Sequence, residues 1–140
     1  MKLIGIKLKM TQVWKGDSLE PVSVIKVQSG EGLEELKSGD LVKVSGITRS
    51  RGWQGVVKRY GFRGMPSSHG AKNRIRAPGS IGNTSPQRII PGRRMAGRTG
   101  GVRRTVKNLK VVDIQPAEKL LMVRGAVPGY NKRSKLEIRK

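Results

Sequence analysis

MKLIGIKLKMTQVWKGDSLEPVSVIKVQ, residues 1–28, decides the fold class. Leu3, Ile4, Ile6, Leu8, Met10 and Val13 mostly alternate with polar residues, and Val22, Val24 and Val27 repeat the pattern after KGDS, a turn by composition. Alternation gives a strand two chemically different faces, so the stretch predicts a β-hairpin. On its C-terminal side, LVKVSGI (41–47) and WQGVVKRY (53–60) read as a third and a fourth strand. NLKVVDIQPAEKLLMVRGAVPG (108–129) reads as two more, joined at QPAEK. About six short strands separated by turn signals predict a mainly β protein built on a small barrel. The one segment with helical spacing is EGLEELKSG (31–39), where Leu33 and Leu36 lie three apart and Gly39 ends the run after one or two turns.

The barrel is interrupted by a run of different character. Residues 61–101 hold no acid, seven arginines, nine glycines and four prolines, a composition with too little apolar surface to offset the chain entropy lost on folding. Ile75, Ile81, Ile89, Ile90 and Met95 are scattered through it with neither a strand's nor a helix's period. The run predicts a long irregular loop that a partner orders. An out-and-back arm of this length reaches roughly 60 to 70 Å if fully extended.

Charge names the class of partner. The chain carries +21 on 140 residues, far beyond what solubility needs. Residues 1–40 are balanced, six acids against six bases, whereas residues 41–112 hold 17 bases and no acid. Twelve of those bases are arginines, whose planar guanidinium grips phosphate with two bonds and stacks on bases. The natural counter-charge is nucleic acid. A membrane surface is disfavoured by the absence of a basic amphipathic helix or a long apolar run.

The candidate RNA-binding side chains follow. At the base of the arm they are Arg49, Arg51, Lys58, Arg59 and Arg63; along it, Lys72, Arg74, Arg76, Arg88, Arg93, Arg94 and Arg98; on the return strand, Arg103, Arg104 and Lys107. Trp53 stands beside these cations, as do Tyr60 and Phe62. Such aromatics either stack on unpaired bases or close the end of a barrel strand, and both readings stay open. Trp14 is assigned to packing. His69, the single histidine, lies in a polar loop and is expected to contact RNA or the loop itself; with no cysteine in the chain, no metal site and no cofactor are expected.

Enzyme signatures are absent: the sequence has no GxxxxGK[ST], no GxSxG and no HExxH, so no catalysis is expected. Zero cysteines and an opening without a signal-like apolar run point to the cytosol.

VSGITRSRGWQGVVKRYGFRG, SSHG, RAPGSIGNTSPQRIIPGRRMAGRTGG and LLMVRGAVPG, with the opening KLKMTQVW, resemble in order and kind the signature segments of the bacterial-type ribosomal protein uL3 family. The resemblance implies a six-stranded barrel of the translation-factor type, residues 1–60 and 102–140, seated on large-subunit rRNA. It further implies that residues 61–101 are a loop entering that rRNA toward the peptidyl transferase centre. Its tip would be formed by Ile81 to Pro86, with Asn83, Thr84, Ser85 and the adjacent Gln87 as contacts. Neighbouring large-subunit proteins, uL14 among them, would be partners, with no membrane and no small-molecule substrate. Residues 28–40 stand as a short connector where members of the family usually carry a sizeable insertion. The rival reading is a free-standing basic barrel protein that binds nucleic acid non-specifically.

Overall fold

Six antiparallel strands close on themselves in the computed structural model, which describes residues 1–30 and 32–140. In chain order the elements are β1 (Lys2–Lys15), β2 (Ser18–Ser29), β3 (Leu41–Ile47), β4 (Trp53–Gln54), α1 (Val56–Tyr60), β5 (Gly97–Arg98), β6 (Arg103–Gln115), β7 (Leu120–Arg124) and β8 (Lys135–Arg139). The barrel runs β1-β2-β7-β6-β3-β8 and back to β1, while β4 and β5 pair only with each other. Closure removes the unpaired strand edges that would otherwise template aggregation. Two units result: residues 1–49 with 101–140 form the barrel, and residues 50–100 form the second unit.

The barrel core is aliphatic. Leu3, Ile25, Val27, Val42, Val44, Val111, Leu121, Val123, Leu136 and Ile138 are buried together, as alternate residues of paired strands should be. On β1, however, the buried positions are Leu3, Gly5 and Lys7, while Ile4 and Met10 are exposed. A lysine thus occupies a place on the inward register. Its ammonium donates to the carbonyls of Val127 at 2.9 Å and Gly129 at 3.4 Å, which is how a buried donor is satisfied. Burial, and secondarily the charge of Arg49, push its pKa below the usual 10.5.

Three expectations need correction. WQGVVKRY is not a barrel strand: only Trp53 and Gln54 are extended, and Val56–Tyr60 is a helical turn. Gly55, extended at φ −70° and ψ 165°, and Gly61, left-handed at φ 73°, bound it, and the bond from Arg59 N to Gly55 O at 2.9 Å closes it. The sixth barrel strand is instead β8, KLEIR, too short to announce itself by period. EGLEELKSG is not a helix over its described part; Glu31 lies outside the described residues. Its bonds are tight turns, Glu35 N to Gly32 O at 3.2 Å and Leu36 N to Leu33 O at 3.4 Å. Leu36 still joins the core, with Leu33 packed against it, so the apolar pair caps the barrel without a helix. Trp14 does not pack: it is 70% exposed.

Acids are concentrated on the barrel, and Glu137 on β8 gathers three cations. Lys2 of β1 approaches at 3.4 Å and Arg139 at 2.5 Å, and Arg103 at the start of β6 pairs with the other carboxylate oxygen. The hydrogen bonds from Arg139 and then Arg103 hold its pKa at about 2, down from the usual 4.5. A carboxyl whose folded pKa lies below its unfolded one contributes stability above the unfolded value and loses it as the pH falls through the folded value. Glu137→Gln is therefore expected to lower the thermal midpoint of the barrel at about pH 6, with the difference from the unsubstituted chain shrinking between pH 4.5 and about 2. Thermal melts across that window check it; a difference that persists unchanged at low pH would show that the carboxylate charge contributes nothing.

Candidate nucleic-acid interface

The second unit is built without carboxylates, so its arginines find other partners. Arg59 on α1 donates from Nη1 to Met95 O at 2.7 Å. Gly97 of β5 makes room for it: a Cβ there would stand 2.6 Å from that same Nη1, which the bond to Met95 O already holds. The ring of Tyr60 lies between two cations, with the guanidinium carbons of Arg59 and Arg94 at 5.0 and 5.7 Å from its centroid. Phe62 stands at 6.1 Å from the same ring. Cation–π contacts of this kind hold about 0.5 to 1 kcal/mol each at exposed sites. At the base, Trp53 pairs across from Arg98, and Arg51 N bonds to Thr99 O at 2.8 Å.

Beyond this braced base the chain has little to hold it. Met65 N bonds to Ile75 O at 2.9 Å, Lys72–Arg74 forms one 3-10 turn, and Arg93 reaches Ser80 O at 2.5 Å. Residues 78–92 are exposed throughout, including Ile81, Ile89 and Ile90. No recorded ion pair among the described residues involves residues 50–100.

Every predicted contact residue is exposed except Arg59, which is half-buried. The structure sorts them by what they already do. Arg59, Arg93 and Arg94 brace the second unit. Arg103 is engaged by Glu137, and Arg49 lies over Tyr130 of the barrel, its guanidinium carbon 4.9 Å from the ring centroid. Arg51, Lys58, Arg63, Lys72, Arg74, Arg76, Arg88, Arg98, Arg104 and Lys107 carry exposed side chains that make no hydrogen bond or ion pair among the described residues. His69 and Lys72 lie in the same exposed loop in left-handed conformations, φ 57° and 42°. Asn83, Thr84, Ser85 and Gln87 are exposed in the stretch around the cis Ser85–Pro86 bond. Trp53 is 75% exposed, which removes it from any core and leaves its indole available for stacking. Tyr60 is engaged with two arginines of its own unit.

Sequence reasoning missed Tyr130. Its signal was of the same kind as Trp53's, an aromatic beside Lys132 and Arg133 in GYNKRS, but the run lies outside the acid-free segment that drew the reading. Among the described residues no three His, Cys, Asp or Glu side chains are grouped to hold a metal.

An exposed, carboxylate-free surface rich in arginine is chemically suited to phosphate and unpaired bases. The chain is 46% identical over 123 residues to "Large ribosomal subunit protein uL3" of Desulforapulum autotrophicum, covering 87% of this chain and 58% of that protein. The uL3 of Chloroherpeton thalassium is 52% identical over 103 residues, 73% of this chain and 49% of its own length. That of Chlorobaculum tepidum is 49% identical over 98 residues, 69% and 47%. The chain thus spans about half the length of these relatives. The family model described as "Ribosomal protein L3" matches residues 24–120, from the second half of β2 through β3, the whole second unit and β6 to the start of β7, and the chain belongs to that family.

Proposed function

We propose that the chain is a structural constituent of the large ribosomal subunit, acting in the cytoplasm, that binds large-subunit rRNA and organises its packing without performing chemistry. The observation that carries this reading is the second unit itself: exposed arginines, no carboxylate, and Val56 as its single buried large apolar side chain. Such a segment gains more from a folded polyanion than from water, since each phosphate it meets releases counterions and relieves self-repulsion. The braced base around Arg59, Tyr60 and Arg94 sets where the exposed stretch begins, and the stretch at Ile81 to Pro86 is the part directed toward the peptidyl transferase centre. Any effect on peptide bond formation passes through the position of rRNA. Neighbouring large-subunit proteins are partners in this reading, with uL14 as the expected neighbour.

Co-sedimentation separates this from a general nucleic-acid binder. The chain expressed in bacterial cells is expected to travel with the large subunit through moderate salt; residence on DNA or in the free fraction would overturn the reading. Arg76 and Arg88, which brace nothing, are the informative pair for energetics. Replacing both with alanine is expected to weaken binding to large-subunit rRNA and flatten the log–log salt dependence by about 0.7 to 0.9 per lost phosphate contact. The free barrel should melt as before. Leu121→Ala is the converse control, because Leu121 is fully buried; it should destabilise the barrel by about 2 to 5 kcal/mol and leave the salt slope alone.

Order in the second unit should depend on RNA. In the isolated chain, amides of residues 78–92 are expected to exchange freely while those of β1 and β2 are protected, and the former should gain protection on rRNA binding. Strong protection of Ile81 to Ile90 without RNA would contradict the reading.

A further inference from the structure

The barrel carries a basic and aromatic cluster of its own, at the turn before β8. The turn at residues 129–134, GYNKRS, precedes β8 and carries Tyr130, 41% exposed, with Lys132 and Arg133 exposed beside it. Unlike residues 78–92, this turn is fixed. Lys7 of β1 holds it with main chain and side chain alike: Lys7 N donates to Ser134 O at 3.1 Å, Lys132 N donates to Lys7 O at 2.6 Å, and the Lys7 ammonium donates to Val127 O and Gly129 O. Inside the turn Tyr130 N donates to Ser134 Oγ at 2.7 Å and Ser134 N to Tyr130 O at 3.2 Å. Gly129, at φ 92°, lets the chain pass so close to Ser134 that any Cβ would collide with that side chain.

Two features give the turn a chemistry. The guanidinium carbon of Arg49 lies over the Tyr130 ring, 4.9 Å from its centroid, so a cation and an aromatic ring stand together. No acid occurs between Glu118 and Glu137, so Lys132 and Arg133 have no local counter-charge in sequence. An exposed aromatic ring with a guanidinium beside it suits a nucleobase, and an adjacent uncompensated pair of cations suits phosphate. Because the turn is fixed before binding, little ordering cost opposes the contact.

We propose that Tyr130, Arg49, Lys132 and Arg133 form a binding site for one unpaired RNA nucleotide on the barrel, with Lys7 as the residue that positions it. The base stacks on the Tyr130–Arg49 pair and the phosphate is taken by Lys132 and Arg133. This rests on the rRNA-binding reading above and extends it to a surface where only Arg49 was expected to touch RNA.

The test uses the full chain and a large-subunit rRNA fragment that it binds. Tyr130→Ala should weaken binding roughly 5- to 100-fold, the range for losing one base stack, whereas Tyr130→Phe, which keeps the ring, should restore it. Lys132→Ala with Arg133→Ala should flatten the salt slope by about 1.4 to 1.8 with an unchanged melt, which keeps the test valid if Tyr130→Ala disturbs the barrel. If the chain binds the fragment and Arg76→Ala with Arg88→Ala weakens it, while the Tyr130 and Lys132/Arg133 variants bind like the unsubstituted chain, this site is overturned and the function stands. If the unsubstituted chain shows no preference for rRNA, both fall.

Discussion

Seventeen cations stand between residues 41 and 112 with no carboxylate among them, and a chain in that state can lower its self-repulsion only by spreading out or by meeting a polyanion. Much of the rest follows from that shortage of counter-charge. The second unit cannot knit itself with ion pairs, so its arginines turn to carbonyls and rings: Met95 O, Ser80 O and the face of Tyr60. Such contacts suffice to shape the base and leave residues 78–92 exposed. The acids that the chain does have are kept on the barrel, where Glu137 serves three cations, Asp40 meets Lys140 and Glu20 meets Arg124. Those pairs lie at the surface, where each is worth little, so the barrel depends chiefly on its aliphatic interior.

How far this was legible in the sequence depends on the range of the interaction that decides each element. The β1–β2 hairpin and the β6–β7 pair were readable because alternation and a turn are local signals. WQGVVKRY failed because its two valines suit a strand by propensity, while the glycines at both ends and the single turn they allow decide otherwise. KLEIR was invisible for the opposite reason: five residues show little period, and β8 exists because β1 and β3 lie on either side of it. Trp14 was assigned to packing. It lies instead toward the tip of the β1–β2 hairpin, opposite Leu19, beyond the residues of β2 that β7 covers.

The candidate interface was legible as a charge pattern and not as a geometry. Composition found the arginines, but could not tell those that brace the fold from those with nothing to hold, a distinction that rests on Met95 O and Ser80 O, 36 and 13 residues away. Lys7 shows the same limit more sharply. In sequence it is one of several lysines in an alternating strand, and its burial is decided by carbonyls 120 and 122 residues distant. Interactions across that separation leave no trace in local pattern.

The pairing of Ile47 with Arg103 places the departure and the return of the arm side by side on neighbouring strands, closed just beyond by the bond from Thr48 N to Val102 O at 3.0 Å. The insertion is thus a doubled chain with no free end. Nothing has to be threaded for it to enter a cleft, and nothing has to be unthreaded for it to leave; it can slide in as a finger does, provided the cleft admits two chains abreast. The barrel strands at its root are hydrogen-bonded to each other without any bond from residues 50–100, so entering or leaving a cleft would cost the barrel no strand pairing.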